Sequence, residues 1–214
     1  MELLKTGQII SGAVAIAGYI LRKPGEQLLE RVFDWVSLKI NRAKKSTWLP
    51  KKTNAEITNL CYQVLAGYDF DRVTVTQYDN YKSIPVTLDQ YAKMELTVTH
   101  EAKREQFVGI MDDFQDAPCI PFAEDLKLLQ ESPEGYIMIP DPARDNVSNK
   151  RSVRIQNLYN VEKSYRFKLN DHIVNGALNC SYMTEDLPDD LTPQDIEDIK
   201  GIAYKIYLLK TKKK

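Results

Sequence analysis

The sequence closes with IVNGALNCSYM at 173–183, TEDLPDD at 184–190 and LTPQDIEDIKGIAYKIYLL at 191–209. Alternating apolar residues in the first stretch predict a core strand with Cys180 on its inner face. Thr192, Pro193 and Asp195 have the pattern of an N-cap, a first-turn proline and a first-turn acid, and the lysines from Lys210 onward suit the end of the helix dipole. This block predicts a strand, an acidic loop and a closing helix.

Charge is divided unevenly along the chain. The 214 residues carry a net charge of -1, yet residues 1–21 sum to zero, residues 22–52 sum to +6 and the remainder sums to -7. A basic segment beside an acidic domain is typical of contact with a membrane surface or another polyanion. A solvated linker is the alternative. No nucleic-acid partner is expected, because such binding depends on dense cations and the domain is acidic.

Residues 6–21, TGQIISGAVAIAGYIL, contain no charged side chain. As a helix they would cover about 24 Å, less than the hydrocarbon core of about 30 Å, so a full bilayer span is marginal. Gly7, Ser11 and Ala15 recur every four positions, a spacing that lets helices approach closely in lipid. A cleaved signal peptide is the competing interpretation. The residues before the apolar stretch have little of the positive charge that begins a signal peptide, so we expect the segment to be retained.

The residues that follow predict an amphipathic helix and a lysine-rich connection. Apolar side chains recur at helical spacing after a Pro-Gly break. Such a helix suits a bilayer interface with its cations near anionic headgroups, and packing on its own domain or on another copy is the alternative. The residues expected to contact a membrane or partner are Ile9, Ile10, Val14, Ile16, Ile20, Leu29, Val32, Phe33, Val36, Arg42, Lys44 and Lys45.

A globular domain is expected to begin near residue 53. Thr53 to Glu56 has the form of a capping box, and an apolar helical stripe then continues from Ile57 towards Gly67. We therefore predict two parts: 1–52, a membrane-associating or oligomerising helical segment, and 53–214, a folded domain.

The folded domain alternates between strand and helix patterns. Strands are predicted at 71–78, 93–100, 135–140, 151–161 and 165–169, and from 173 onward. Two helical patterns lie among them, one with Phe107, Ile110, Met111 and Phe114, and one with Phe122, Leu126 and Leu129. This order predicts an α+β fold with an antiparallel sheet.

The order of elements resembles that of GAF domains. The resemblance is carried by YDFDRVTVTQYDN at 68–80, KMELTVTH at 93–100, GYIMIP at 135–140 and the closing block, and it covers about residues 53–210. It implies a GAF/PAS-like antiparallel sheet flanked by helices. The passage DHIVNGALNCSYM at 171–183 and the closing helix also resemble the soluble domain of the holins of T-even bacteriophages, which implies a role in lysis timing.

Several features of these families are missing from the sequence. Cyclic-nucleotide GAF domains carry an NKFDE-type motif that does not occur here, and photoreceptor GAF domains attach bilin through a Cys beside a His, whereas Cys119 is followed by Ile120 and Pro121. No cofactor is expected. Holins export their soluble domain, but the basic flank after residue 21 predicts a membrane-associated protein with a cytoplasmic C-terminal domain.

No catalytic or metal-binding residue is predicted. His100 has the parity of Met94, Leu96 and Val98 and is expected on the inner face of its strand, and nothing in the spacing brings it to Cys119. The three cysteines lack metal-ligand spacing. The acidic cluster is interpreted as a solvated loop because it lacks the pattern of a calcium loop. Its members are Glu185, Asp186, Asp189 and Asp190.

These observations favour a non-enzymatic GAF-like regulatory or interaction domain tethered by its N-terminal segment, with holin-like lysis timing as its most specific form. The first alternative is a structural or assembly protein of a viral particle whose N-terminal helices mediate oligomerisation. The second is a small-ligand sensor or enzyme that uses the central pocket of the fold. A protein partner on the GAF-like domain is also expected under the leading interpretation.

Overall fold

The structure is a computed structural model that describes residues 49–79, 84–139 and 159–212. The predicted N-terminal helices with their contact residues, and residues 151–158 of the strand predicted over 151–161, lie outside these ranges. The boundary at 52 and 53 therefore stays a prediction. The end of that predicted strand was wrong, because residues 159–161 contain a turn in which Asn160 has a φ of 52°, a backbone angle incompatible with a strand. Among the helices of the three ranges, none has both the length and the apolar composition that crossing a bilayer requires.

A six-stranded antiparallel sheet forms the centre of the domain. Its strands are β1 (Arg72–Asp79), β2 (Glu95–Lys103), β3 (Ala117–Pro118), β4 (Tyr136–Ile139), β5 (Lys163–Lys168) and β6 (Ala177–Tyr182). The helices are α1 (Lys51–Gly67), α2 (Leu88–Ala92), α3 (Ala123–Glu131) and α4 (Pro193–Thr211), with 3-10 turns at Ile120–Phe122 and Ile173–Asn175. The order across the sheet is β3-β2-β1-β6-β5-β4, which confirms the predicted α+β class with an antiparallel sheet.

The sheet separates two apolar cores. On one face, Ile57 of α1 and Ile199 of α4 belong to a buried cluster with Val73 of β1. On the other face, Tyr78 of β1 belongs to a second cluster with Leu126 of α3. Strand β1 is therefore buried on both faces for most of its length. The half-buried pattern predicted for it was wrong, because its alternate positions carry hydroxyl and guanidinium groups that are buried as well.

A β-bulge interrupts the pairing of β1 with β2. His100 pairs with Val75, but the next pair is Val98 with Thr76, so Thr99 is an extra residue that has no partner residue on β1. An extra residue reverses the face that the rest of the strand presents.

The bulge places His100 on the face of the sheet that α1 and α4 cover. Its Nε2 lies 3.2 Å from Oδ1 of Asn54 in α1, whereas Leu96 and Val98 belong to the core of the other face. The predicted common face of His100 with Leu96 and Val98 was wrong, because counting alternate residues assumes an uninterrupted ladder.

Helix α1 begins earlier than predicted. The carbonyl of Pro50 accepts the first helical bond from the Asn54 N–H at 3.0 Å, and Thr53 lies inside the first turn. The predicted capping box at Thr53 was therefore wrong, because an N-cap must stand outside the helix to accept from its first turn.

Helix α4 begins as predicted. Thr192 Oγ1 accepts a hydrogen bond from the Asp195 N–H at 3.2 Å, and the Asp195 carboxylate accepts one from the Thr192 N–H at 2.9 Å. This reciprocal pair is a capping box, and Pro193 follows the cap.

The segment 107–114 forms turns where a helix was predicted. The N–H groups of Ile110 and Met111 donate to the Glu101 carboxylate, at 3.1 and 3.4 Å, and not to a preceding turn of helix. The carbonyl of Val108 accepts from Arg72 Nη2 at 2.6 Å. Because side chains of the sheet satisfy these backbone groups, the apolar spacing does not lead to a helix.

Strand β6 begins at Ala177, four residues later than predicted. Residues Ile173–Asn175 form a 3-10 turn. Gly176, which follows it, has a φ of 109°, a backbone angle that residues other than glycine rarely adopt. From Ala177 the predicted alternation holds, and Leu178, Cys180 and Tyr182 are buried in the core below α1 and α4.

Candidate functional site

A pocket lies on the sheet face opposite α1 and α4. Its polar floor is built from β1, β6 and β5, whose register aligns Arg72, Ser181 and Ser164 in one row and Thr74, Asn179 and Arg166 in the next. In a strand, alternate side chains point to opposite faces. The same alternation that buries Val73 and Val75 below the helices therefore turns Arg72 and Thr74 towards the pocket.

Neutral donors and acceptors connect the polar floor to Thr76 and Tyr78. Asn179 Nδ2 lies 3.3 Å from Thr74 Oγ1 and 3.4 Å from Thr76 Oγ1. The Thr76 hydroxyl lies 3.1 Å from the Tyr78 hydroxyl. Burial raises the pKa of Tyr78 to about 12, so this phenol stays protonated at neutral pH and can donate a hydrogen bond.

Arg72 enters the pocket from the first residue of β1. Its side chain is 3% exposed, and its Nε lies 3.2 Å from Oε1 of Glu101. That contact has the distance of an ion pair but not the direction of a hydrogen bond, and Nε has no hydrogen-bond partner. Burial lowers the pKa of Arg72, and Glu101 opposes that shift. The guanidinium remains charged at neutral pH because its ordinary pKa is so high.

Arg166 enters the pocket from β5. Its Nη1 lies 3.1 Å from Oδ2 of Asp125 in α3, and both side chains are nearly buried. The guanidinium lies over the Phe122 ring at 5.1 Å from the centroid, a cation–π arrangement. Arg166 is thus held on one side by a carboxylate and on another by an aromatic face.

Apolar and aromatic side chains cover the polar floor. The side of the pocket opposite the polar floor is lined by Ile110, Phe114, Phe122, Tyr159 and Val161. The ring centroids of Phe114 and Tyr159 are 5.4 Å apart. The cavity volume is about 100 Å³. A protein cavity of about 150 Å³ accommodates benzene, so this one has room for a ligand of only a few non-hydrogen atoms.

The charged groups that line the pocket are both cations. Among the described lining residues, Arg72 and Arg166 carry charge, while their partners Glu101 and Asp125 are not part of the lining. Each ion pair therefore presents its positive end to the cavity.

The structure places His100 and Cys119 on opposite faces of the sheet. His100 faces α1 through Asn54, and Cys119 is buried in the core of the opposite face with Phe122. Neither residue lines the pocket.

His100 makes stability depend on pH. Burial, helped by the charge of Lys210, lowers the pKa of His100 to about 4, compared with about 6.5 in an unfolded chain. Between pH 6.5 and 4 the unfolded chain binds a proton that the folded chain does not, so stability falls as the pH falls. When the pH is lowered from 7 to 4.5, the free energy of unfolding, measured with urea, should fall by about 2 kcal/mol more for the wild type than for His100→Gln. Equal losses would show that His100 titrates normally.

The three cysteines should resist thiol reagents in the folded protein. Cys61, Cys119 and Cys180 are free and buried. Burial raises the pKa of Cys61 and of Cys119 to about 12, and that of Cys180 well above its usual value. Because the thiolate is the reactive form, a colorimetric thiol reagent at pH 8 should label all three in denaturant and none rapidly in buffer. Rapid labelling that Cys119→Ser removes would contradict this and favour thiol chemistry.

The acidic loop contributes one ion pair to the domain surface. Asp190 accepts from the Lys163 ammonium and lies 3.3 Å from the Tyr165 hydroxyl. Glu185, Asp186 and Asp189 are exposed. Within the part of the chain that the structure describes, no group of His, Cys, Asp and Glu side chains is arranged to hold a metal ion.

The pocket residues were not among the functional residues predicted from the sequence. A signal for them was present, because Arg72, Thr74, Thr76 and Tyr78 alternate with the valines of β1 and are all polar. A strand with one apolar face and one polar face usually turns the polar face to water. The pattern itself does not show that aromatic side chains from other segments lie over this face and form a pocket with it.

Similarity to known proteins appears in the fold and not in the sequence. No family model and no curated protein matches the chain. The PixJ GAF domain of Thermosynechococcus elongatus, in its blue-light-absorbing form, is similar with a TM-score of 0.54 and 16% identity over 74% of this chain and 84% of that one. The described domain has a GAF-like fold.

Two further solved structures are similar to this domain. The phycocyanobilin-bound GAF domain of a cyanobacterial phytochrome has a TM-score of 0.53 and 16% identity over 80% of this chain and 90% of that one. A bacteriophytochrome from R. palustris has a TM-score of 0.54 and 12% identity over 82% of this chain and 36% of that one. None of these three structures is a holin, and the resemblance to phage holins stays a prediction.

Proposed function

We propose that the chain is a non-enzymatic regulatory protein whose GAF-like domain binds a small polar ligand in the pocket over β1, β6 and β5. The observation that carries this proposal is the polar floor below an aromatic cover. Buried polar groups cost free energy unless they find partners, and a core that served packing alone would not need Asn179 and two arginines around a cavity. A ligand with matching polar groups would supply such partners.

A bilin does not fit the pocket as described. The similar phytochrome domain is bound to phycocyanobilin, a linear tetrapyrrole, whereas the cavity here, at about 100 Å³, is smaller than the one that accommodates benzene. Cys119 is fully buried beside Met94 and Phe122 and does not line the cavity. We therefore propose a ligand that is much smaller than the chromophores of the similar photoreceptors.

The chemistry of the lining favours binding over catalysis. Its groups are hydroxyls, an amide, two guanidiniums and apolar side chains, and the described lining contains no Cys, His, Lys or carboxylate. A general base needs a pKa near the working pH, and the pKa of Tyr78, at about 12, is far above it. These groups can recognise a ligand by hydrogen bonds but cannot readily activate a nucleophile.

A thermal-shift screen of the full-length chain tests the proposal. A panel of metabolites with no more than about six non-hydrogen atoms should contain at least one compound that raises the melting temperature, because binding to the native state stabilises it. Asn179→Leu should weaken that compound by at least about tenfold, since it removes an amide from the polar floor. Gln194→Leu, a matched change on the exposed face of α4, should not. A panel without any stabilising compound would count against ligand sensing.

We also propose that residues 6–52 tether this domain to a membrane surface, with the domain on the cytoplasmic side. The uncharged stretch at 6–21 and the net charge of +6 over 22–52 support this part of the proposal. Full-length protein should float with anionic liposomes, and the double variant Ile9→Asp, Ile16→Asp should float markedly less. A defined oligomer in detergent-free buffer, with no flotation of either protein, would favour the assembly role instead.

A further inference from the structure

We propose that the ligand of this pocket is a small anion, a carboxylate or an inorganic oxoanion, and that the segment 107–114 is a lid that the bound anion holds closed. This inference rests on the proposed function, because it assigns a ligand class and a movement to the same pocket.

The orientation of two ion pairs favours an anion. Arg72 and Arg166 line the cavity, while Glu101 and Asp125 contact them from outside the lining. Both guanidiniums have a carboxylate partner before a ligand binds, which lowers the free-energy cost of burying them. The positive end of each ion pair nevertheless faces the cavity. Guanidinium groups present several donors in one plane and form charge-assisted hydrogen bonds with carboxylates and oxoanions.

The neutral groups of the polar floor suit the same class of ligand. Hydroxyls of Thr74 and Ser181 and the amide of Asn179 lie in the rows that contain the arginines. They can donate to ligand oxygens that the guanidiniums do not reach. The volume of about 100 Å³ limits the ligand to a few non-hydrogen atoms, which is the size of acetate, nitrate or phosphate.

One ion pair serves both the pocket and its cover. Arg72 donates to the carbonyl of Val108 at 2.6 Å, and Glu101 accepts from the N–H groups of Ile110 and Met111. The pair thereby fastens the segment 107–114 through three backbone groups. The inner side of this segment contributes Ile110 and Phe114 to the pocket lining.

Occupancy of the pocket should therefore favour the closed lid. An anion that fills the cavity contacts the lid from below through Ile110 and Phe114 and contacts Arg72, which holds the lid. A ligand that binds the closed state better than the open state shifts the population towards closure. The Ile110 and Met111 amides report on this, because their hydrogens exchange with solvent when the bonds to Glu101 open.

Residue-resolved hydrogen exchange on the full-length chain tests both parts. The probes are acetate, nitrate and inorganic phosphate at constant ionic strength, and acetamide is the neutral control with the size of acetate. At least one anion should bind at least about tenfold more tightly than acetamide, the effect of one charge-assisted hydrogen bond. The same anion should slow exchange at Ile110 and Met111 severalfold and leave Ile206, in the core below α4, unchanged.

A paired substitution assigns the anion to the pocket. Arg166→Gln with Asp125→Asn removes both charges and leaves no single buried charge behind. This double variant should lower the affinity for the anion about ten- to a hundredfold, because a charge-assisted hydrogen bond is lost. The matched control is Lys127→Gln with Glu131→Gln, which removes an exposed ion pair of α3 and should change affinity less than twofold.

The outcomes separate this inference from the proposed function. If acetamide binds as tightly as each of the three anions, or if a metabolite hit is neutral while no anion binds, the assignment of an anionic ligand is wrong and the ligand-sensing function still stands. Anion binding without slower exchange at Ile110 and Met111 overturns the lid. Anion binding that survives the Arg166 and Asp125 substitutions places the anion elsewhere and overturns the site. A lack of response to both the anions and the metabolite panel overturns the inference together with the proposed function.

Discussion

Gly176→Ala should lower the free energy of unfolding by about 3–5 kcal/mol. Gly176 precedes β6 with a φ of 109° and a ψ of 177°, a region that only glycine occupies without strain. A Cβ at this position would lie 2.4 Å from the carbonyl oxygen of Thr76 in β1. That oxygen belongs to the backbone of a central strand and cannot rotate away, so the β1–β6 pair would have to separate locally.

Gly201→Ala is the matched control and should have the opposite sign. Gly201 lies within α4, and a Cβ there would meet no atom within 4 Å. Alanine in an exposed helix interior is more stable than glycine by about 0.5–1 kcal/mol. Urea unfolding followed by circular dichroism measures both variants. A loss below about 1 kcal/mol for Gly176→Ala would contradict the backbone conformation described before β6.

Arg72→Met should cost about 3–5 kcal/mol, because it leaves Glu101 buried without its cation. The two side chains are 3% and 8% exposed, so water cannot replace the lost partner effectively. The substitution also removes the donor to Val108 and loosens the segment 107–114. Methionine keeps most of the volume of the arginine stem, so a cavity accounts for little of the loss.

A double-mutant cycle separates the ion pair from packing. If the pair dominates, Arg72→Met should cost much less when Glu101→Gln is already present, with a coupling of about 1–3 kcal/mol. Lys127→Met removes the cation of an exposed pair in α3 and should change stability by no more than about 0.5 kcal/mol. Strict additivity of Arg72→Met and Glu101→Gln would show that the pair contributes little, and it would weaken the case for Arg72 and Glu101 as the attachment of the lid.

Both predictions concern the strands that form the pocket. Gly176 sets the start of β6, which carries Asn179 and Ser181 into the polar floor, and Arg72 is the first residue of β1. Measurements on these variants therefore test the same region that the proposed ligand would occupy. Arg72 is a poor choice for testing ligand binding alone, because its loss changes stability as well.

Local patterns in the sequence predicted the elements whose partners are close along the chain. The capping box of α4 depends on Thr192 and Asp195, three positions apart, and it formed as predicted. The alternation of Leu178, Cys180 and Tyr182 predicted one buried face of β6. The antiparallel α+β architecture followed from the order of such elements.

Interactions between distant residues decided the elements that were predicted incorrectly. The helix expected over 107–114 did not form because Arg72 and Glu101, in two neighbouring strands, take up its backbone groups. The face of His100 was reversed by a bulge that appears only when β2 pairs with β1. Neither event has a signal within the segment concerned.

The sequence by itself determined the class of fold, the closing strand and helix, and the alternation that gives β1 one apolar and one polar face. Only the tertiary structure decided that the polar face of β1 is covered, and that Arg72, Arg166 and Asn179 meet around one cavity. Periodicity and capping act over a few residues and can be read along the chain. The pocket depends on the register of β1, β6 and β5, which joins residues about a hundred positions apart, such as Thr74 and Asn179, and register is set by the packing of the whole sheet.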